Sequence, residues 1–92
     1  MNYKINLYTT EGCFACSIMN DNIQQAINSI EDFNPEYNSF DKNYCWKEIL
    51  KAEGVTDFPT MVFYINDKIS FKLIGIYSTK DIEKHIRDVI NK

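Results

Sequence analysis

Cys13 and Cys16 form a C-x-x-C, and this spacing carries the most evident chemistry in the chain. Two thiols so placed either cycle between dithiol and disulfide or supply half of a metal site. The flanking residues favour the redox use. Tyr3, Ile5 and Leu7 alternate with Lys4, Asn6 and Tyr8, which is the period of a strand. Thr9-Thr10-Glu11-Gly12 ends that pattern, and from Cys13 onward Cys16, Met19, Ile23, Ala26 or Ile27, and Ile30 recur at helical spacing. The pattern predicts a strand, a break, and an amphipathic helix that begins at Cys13. Unpaired N–H groups and the positive end of the helix dipole favour a thiolate there. Cys16 lies one turn deeper on the same face and can close back on Cys13. The reaction follows: the Cys13 thiolate attacks a substrate disulfide, a mixed disulfide forms, and Cys16 resolves it.

A closed zinc site would need four ligands, and Cys45 and His85 are the only other Cys or His residues. Their spacings of 29 residues from Cys16 and 40 residues from Cys45 match no zinc framework. Cys45 therefore reads as a small, partly buried hydrophobe rather than a third redox thiol. His85, between Lys84 and Ile86 with Arg87 beyond, reads as a solvated surface side chain. Glu11, two residues before Cys13, opposes a thiolate electrostatically, although water and salt screen an exposed carboxylate. Phe14, between the two cysteines, is expected to be exposed, either to contact substrate or to shield the disulfide.

Several further elements complete the frame. Pro35 lies just beyond the first helix, and Tyr37 to Phe40 reads as a short strand followed by a polar Asp41-Lys42-Asn43 loop. Trp46, Ile49 and Leu50 give a second helical stripe that Gly54 would cap. Met61-Val62-Phe63-Tyr64-Ile65 is an unbroken apolar run, the mark of a strand buried on both faces. Asn66-Asp67-Lys68 turns it into a second strand, Ile69 to Ile74, which Gly75 stops. Ser78 offers an N-cap with Asp81 in the first turn, and Ile82, Ile86, Val89 and Ile90 form the buried face of a last helix. Trp46 and the tyrosines are assigned to core and rim packing. The order βαβαββα predicts an α/β fold, a four-stranded mixed sheet with helices on both faces.

Size and charge narrow the function. At 92 residues, 45% of them hydrophobic and 14% aromatic, the chain makes one domain, 1–92, with a packed core. Ten basic against thirteen acidic residues leave a net charge of -3, which argues against a nucleic-acid or anionic-membrane partner. An odd count of three cysteines does not suit a disulfide-stapled secreted scaffold. The Met1-Asn2-Tyr3-Lys4-Ile5 start shows no signal-peptide pattern, so a cytoplasmic monomer is expected.

The chain resembles the thioredoxin superfamily over essentially its whole length. The resemblance rests on Cys13-Phe14-Ala15-Cys16 after the first strand, Phe58-Pro59-Thr60 before the hairpin, and Ile74-Gly75 before the last helix. It implies a thioredoxin-like fold in which Pro59 is cis and packs beside the cysteines. It also implies that the backbone of Phe58 pairs with an extended substrate segment, in a groove lined by Phe58, Pro59, Thr60, Ile74 and Gly75 with Phe14 alongside. The activity implied is thiol–disulfide exchange on protein disulfides, among them that of ribonucleotide reductase. It needs no bound cofactor beyond the Cys13–Cys16 disulfide and draws electrons from a reductase or a low-molecular-weight thiol. An alternative keeps the fold but makes the thiols ligands of a binding or metal-carrying module; a third is an exported oxidant or isomerase. Phe14-Ala15 differs from the Gly-Pro of thioredoxins and the Pro-Tyr of many glutaredoxins. Gly12 replaces the thioredoxin tryptophan, and Leu7 stands where thioredoxins bury an acid. A single Gly75, followed by Ile76-Tyr77, also departs from the Gly-Gly of glutathione-binding glutaredoxins.

Overall fold

The computed structural model describes residues 1–44, 46–47 and 55–91. The alternating segment forms β1 (Tyr3–Thr9), and the three-four stripe after it forms α1 (Phe14–Ser29). The weakly patterned stretch after Pro35 forms β2 (Glu36–Asp41), which pairs parallel with β1. The apolar run forms β3 (Thr60–Ile65), antiparallel to β1, and β4 (Lys68–Ile74) pairs back on it. The last stripe forms α2 (Thr79–Ile90). The result is a four-stranded mixed sheet in the order β2-β1-β3-β4, as the sequence implied.

Burial follows the strand alternation. Ile5 and Leu7 of β1, Met61 and Phe63 of β3, and Leu73 of β4 point to one face and meet Met19, Ile23 and Ala26 of α1 and Ile82 and Ile86 of α2. Each such aliphatic or aromatic side chain, fully withdrawn from water, contributes about 1.5–3 kcal/mol. Tyr3, Phe33, Phe63 and Phe71 add a run of ring contacts with centroids 5.2–6.1 Å apart on the same side. The other face is built from Tyr8 and Val62, with Phe40, Val55, Phe58 and Tyr64 packed against them. Val62 between Met61 and Phe63 shows that β3 is buried on both faces through its first half; Tyr64 and Ile65 are only half-buried. Trp46 and Lys47 are helical, but Ile49, Leu50 and Gly54 lie outside the described residues, as does Cys45. Among the described residues both long helices lie on one face, so the helix expected on the second face is not described.

The assignment of Trp46 and all the tyrosines to packing needs correction. Tyr44 is 86% exposed and Trp46 53% exposed. Both follow a polar loop, where no strand or long-helix periodicity forces a side chain inward. His85 is exposed as expected, yet its ring also leans on Phe71 and meets Tyr77 edge-on.

Local chemistry sets the turns. Asn66 and Asp67 both have positive φ, 52° and 66°, the requirement of the two-residue type I′ hairpin that joins β3 to β4. Phe63 opposes Phe71 while Tyr64 opposes Ile69, so Ser70 forms a bulge in β4. Ser78 caps α2 by accepting from the amide of Asp81 at 3.1 Å. Arg87, the single arginine, donates from its Nη2 to the Ser29 carbonyl at 3.2 Å and ties α2 to the end of α1.

Two tyrosines link the packing to pH. Burial, helped by the charge of Asp21, pushes the Tyr37 hydroxyl up to about 12. Burial likewise pushes Tyr8 up to about 12, with Tyr64 adding to it and a hydrogen bond from Asn6 opposing it. Below pH 10 both residues are neutral whether the chain is folded or not. Between pH 10 and about 12 the unfolded chain ionises first, so stability falls across that window. Urea midpoints measured from pH 9 upward should therefore drop between those values, and Tyr37→Phe should make the drop smaller.

Candidate active site

The thiol pair is placed by the junction of β1 and α1. Gly12 adopts φ +72°, a conformation that costs an L side chain and turns the chain sharply out of the strand. Cys13 then takes extended dihedrals as the N-cap of α1. Its sulfur accepts from the Cys16 amide at 3.1 Å, an N–H that it shares with the Cys13 carbonyl at 3.2 Å. The two residues form a disulfide with Cα atoms 5.2 Å apart. Their exposure differs: Cys13 is partly open to solvent, whereas Cys16 is only 5% exposed and belongs to the buried face of α1. An incoming thiolate or disulfide can therefore reach Cys13, and Cys16 is shielded beneath it. No acidic side chain occupies the first turn of α1. Phe14 projects outward at 80% exposure, so it does not cover the disulfide by folding onto the core.

Strand register gathers the remaining site residues at the same end of the sheet. Tyr8 pairs with Thr60, and Thr60 pairs with Ile74. The end of β1 that leads to Cys13, the start of β3 and the end of β4 are thus neighbours. The Phe58–Pro59 peptide is cis, as the resemblance implied. Pro59 is fully buried, and its carbonyl accepts from the Gly75 amide at 2.8 Å. Thr60, 1% exposed, turns its hydroxyl back to the Asp57 carbonyl at 2.6 Å. Phe58 is half-buried, while Ile74 and Ile76 are 53% and 51% exposed on either side of Gly75. The segment after Gly75 is moored to α1: Asn22 Nδ2 donates to the Tyr77 carbonyl at 2.9 Å, and the Tyr77 amide meets Met19 Sδ at 3.5 Å.

The loop after β2 closes the other side. The Lys42 amide donates to the Thr9 carbonyl at 2.8 Å, and its ammonium lies 5.7 Å from the centroid of the Phe58 ring. Asn43 Nδ2 donates to Glu11 Oε2 at 2.9 Å. These ties escaped the sequence reading, which marked residues 41 to 43 only as a polar loop. Nothing in residue spacing links position 11 to position 43; only the parallel pairing of β1 with β2 brings them together.

Comparison with solved structures decides the fold. The chain superposes on mitochondrial thioredoxin 3 of Saccharomyces cerevisiae in its oxidised form with a TM-score of 0.78, covering 95% of this chain and 78% of that one at 22% identity. The chain has the thioredoxin fold. Thioredoxin from Aeropyrum pernix gives a TM-score of 0.73 at 22% identity over 96% and 75% of the two chains. Thioredoxin-2 of a malaria parasite gives 0.82 at 14% identity over 95% and 82%. No family model and no curated protein matches the sequence. Within this thioredoxin fold, no helix among the described residues is long and apolar enough to cross a membrane.

Gly75 makes the backbone geometry of the site testable. It holds φ +95° with nothing within 4 Å of where a Cβ would stand, so a substitution meets strain rather than collision. Gly75→Ala should cost about 1–2 kcal/mol in urea unfolding, with the fold retained. A neutral result would show that the bond to Pro59 does not depend on this conformation.

Proposed function

We propose that the protein is a thiol–disulfide oxidoreductase that reduces protein disulfides. One observation carries this reading: an accessible Cys13 at a helix N-terminus is joined to a shielded Cys16. In the reduced form the Cys16 amide, already aimed at the Cys13 sulfur, can solvate a thiolate there. The Cys13 thiolate attacks one sulfur of a substrate disulfide and releases the other as a thiolate, which takes up a proton. Cys16, deprotonated, then attacks Cys13 Sγ in the mixed disulfide, releases the second substrate thiol and restores the Cys13–Cys16 disulfide. Two electrons pass to the substrate, and a reductase or a low-molecular-weight thiol returns them.

The groove residues have roles in this reading. The edge of Phe58 before cis Pro59 would pair with an extended substrate segment, and Ile74, Gly75 and Phe14 would flank it. Thr60 would hold the turn through Asp57 rather than touch substrate. A disulfide of ribonucleotide reductase is one protein substrate of the required kind, and the working form is a cytoplasmic monomer.

Insulin reduction with dithiothreitol as donor tests the activity. Cys13→Ser should lower the rate to the uncatalysed background, a loss of about 10³-fold or more. Cys16→Ser should instead accumulate a mixed disulfide on Cys13, visible by mass spectrometry. Wild-type turnover that survives Cys13→Ser would end the proposal. Stoichiometric zinc that is lost in Cys13→Ala would favour the metal-carrying alternative.

A further inference from the structure

Glu11 is the charged side chain closest in sequence to the thiol pair, two residues before Cys13. It is exposed, but it is not left loose. Asn43 Nδ2 donates to its Oε2 at 2.9 Å, and the Asn43 amide is itself held by Asp41 Oδ1 at 2.8 Å. The same loop is pinned to the end of β1 by the bond from the Lys42 amide to Thr9. Among the described residues Glu11 has no ion pair to neutralise it. Two residues of backbone span at most about 7 Å and the two side chains add roughly 8 Å, so this carboxylate lies within about 15 Å of the reacting sulfur, inside the Debye length of ~30 Å at 0.01 M salt.

We propose that Glu11 is a specificity-determining residue: its fixed negative charge disfavours disulfides with carboxylates near the scissile bond and favours neutral or cationic ones. The inference rests on the oxidoreductase reading and adds a substrate class to it. Three other charges bear on the same region. Asp41, whose Oδ1 accepts from the Asn43 amide, is a carboxylate on the same loop. Lys42 attracts anions, but its ammonium is drawn toward the Phe58 ring on the Pro59 side. Asp57, exposed next to Phe58, adds a further carboxylate there. Among the described residues Glu11, Asp41 and Asp57 outweigh Lys42, so these charges sum to a negative value. In each turnover the Cys13–Cys16 dithiol plus RSSR gives the protein disulfide plus two RSH, so only the charge on R changes between substrates. Between solvated groups, at an effective dielectric constant of about 40–80, unit charges roughly 8–15 Å apart change a rate constant by about two- to sixfold.

The test mixes pre-reduced protein with three disulfides: glutathione disulfide (anionic), 2-hydroxyethyl disulfide (neutral) and cystamine (cationic). Remaining protein thiols are counted after acid quench, at low salt and at 0.5 M NaCl. At low salt, cystamine should react fastest, relative to its own uncatalysed exchange with dithiothreitol, and glutathione disulfide slowest. Glu11→Gln, which can still accept from Asn43, should raise the ratio of the glutathione disulfide rate to the hydroxyethyl rate about two- to sixfold. It should lower the cystamine ratio by a similar factor, and high salt should remove most of the difference. A general change in Cys13 reactivity cancels in these ratios. Asp88→Asn, a distant exposed charge on α2, should leave them unchanged. Unchanged ratios in Glu11→Gln, an equal shift in Asp88→Asn, or a wild-type preference for the anionic disulfide would each overturn the inference while leaving the oxidoreductase reading standing. No reaction with any of the three would overturn both.

Discussion

The site depends on one constraint: the first backbone amides of α1 lack the full i−4 pairing of the helix interior, and a sulfur atom is placed where it can share one of them with the Cys13 carbonyl. Cys13 as N-cap, with the Cys16 amide 3.1 Å from its sulfur, meets that need. The rest of the molecule keeps the end of this helix in place. β1 delivers the chain to it, Gly12 turns it, and the buried stripe from Cys16 through Ala26 clamps α1 against β1 and β3. A surface helix frays first at its ends. Here the N-terminal end is the one that is covalently closed when oxidised and anchored by Cys16 in the core.

The same junction accounts for the unequal exposure of two chemically identical thiols. Burial, not sequence order alone, distinguishes them: one lies on the solvent rim of the helix end and the other on its core face. A helical spacing of three residues is what makes this possible, because it puts both sulfurs within bonding distance while rotating the second inward. Pro59 and Gly75, linked through backbone, bring the β3–β4 layer to the same end without contributing a charge.

Much of this was legible in the sequence, because the decisive signals are periodic. Period two in Tyr3 to Tyr8, the stripe from Cys16 to Ile30 and the apolar run at Met61 each state a burial pattern, and the sheet follows them. Ser78 and Asp81 marked the start of α2 by capping chemistry alone. The cis state of Pro59 came only from resemblance, since an X–Pro bond is cis in ~5–6% of cases and nothing local decides it. Tyr44 and Trp46 depart from the expected packing because aromatic character signals burial only within a periodic frame, and none surrounds them. The pairs Glu11–Asn43 and Asn22–Tyr77 lie 32 and 55 residues apart, so they exist only once the strands are registered. The hydrogen-bonded chain from the half-buried Asn38 through Asn6 to Tyr8 likewise needs the β1–β2 register, which alternation along β1 does not show.

The Ser70 bulge matters beyond the hairpin it interrupts. With the order β2-β1-β3-β4, β4 is an outer strand, and an outer strand offers a row of backbone donors and acceptors to any other extended chain. A flat, apolar edge would template self-association. β4 is neither flat nor uniformly apolar: the bulge breaks its register and Lys68 and Lys72 charge it near both ends. The irregular outer strand denies a second copy of the chain a continuous ladder along β4, so this edge is a poor template for aggregation.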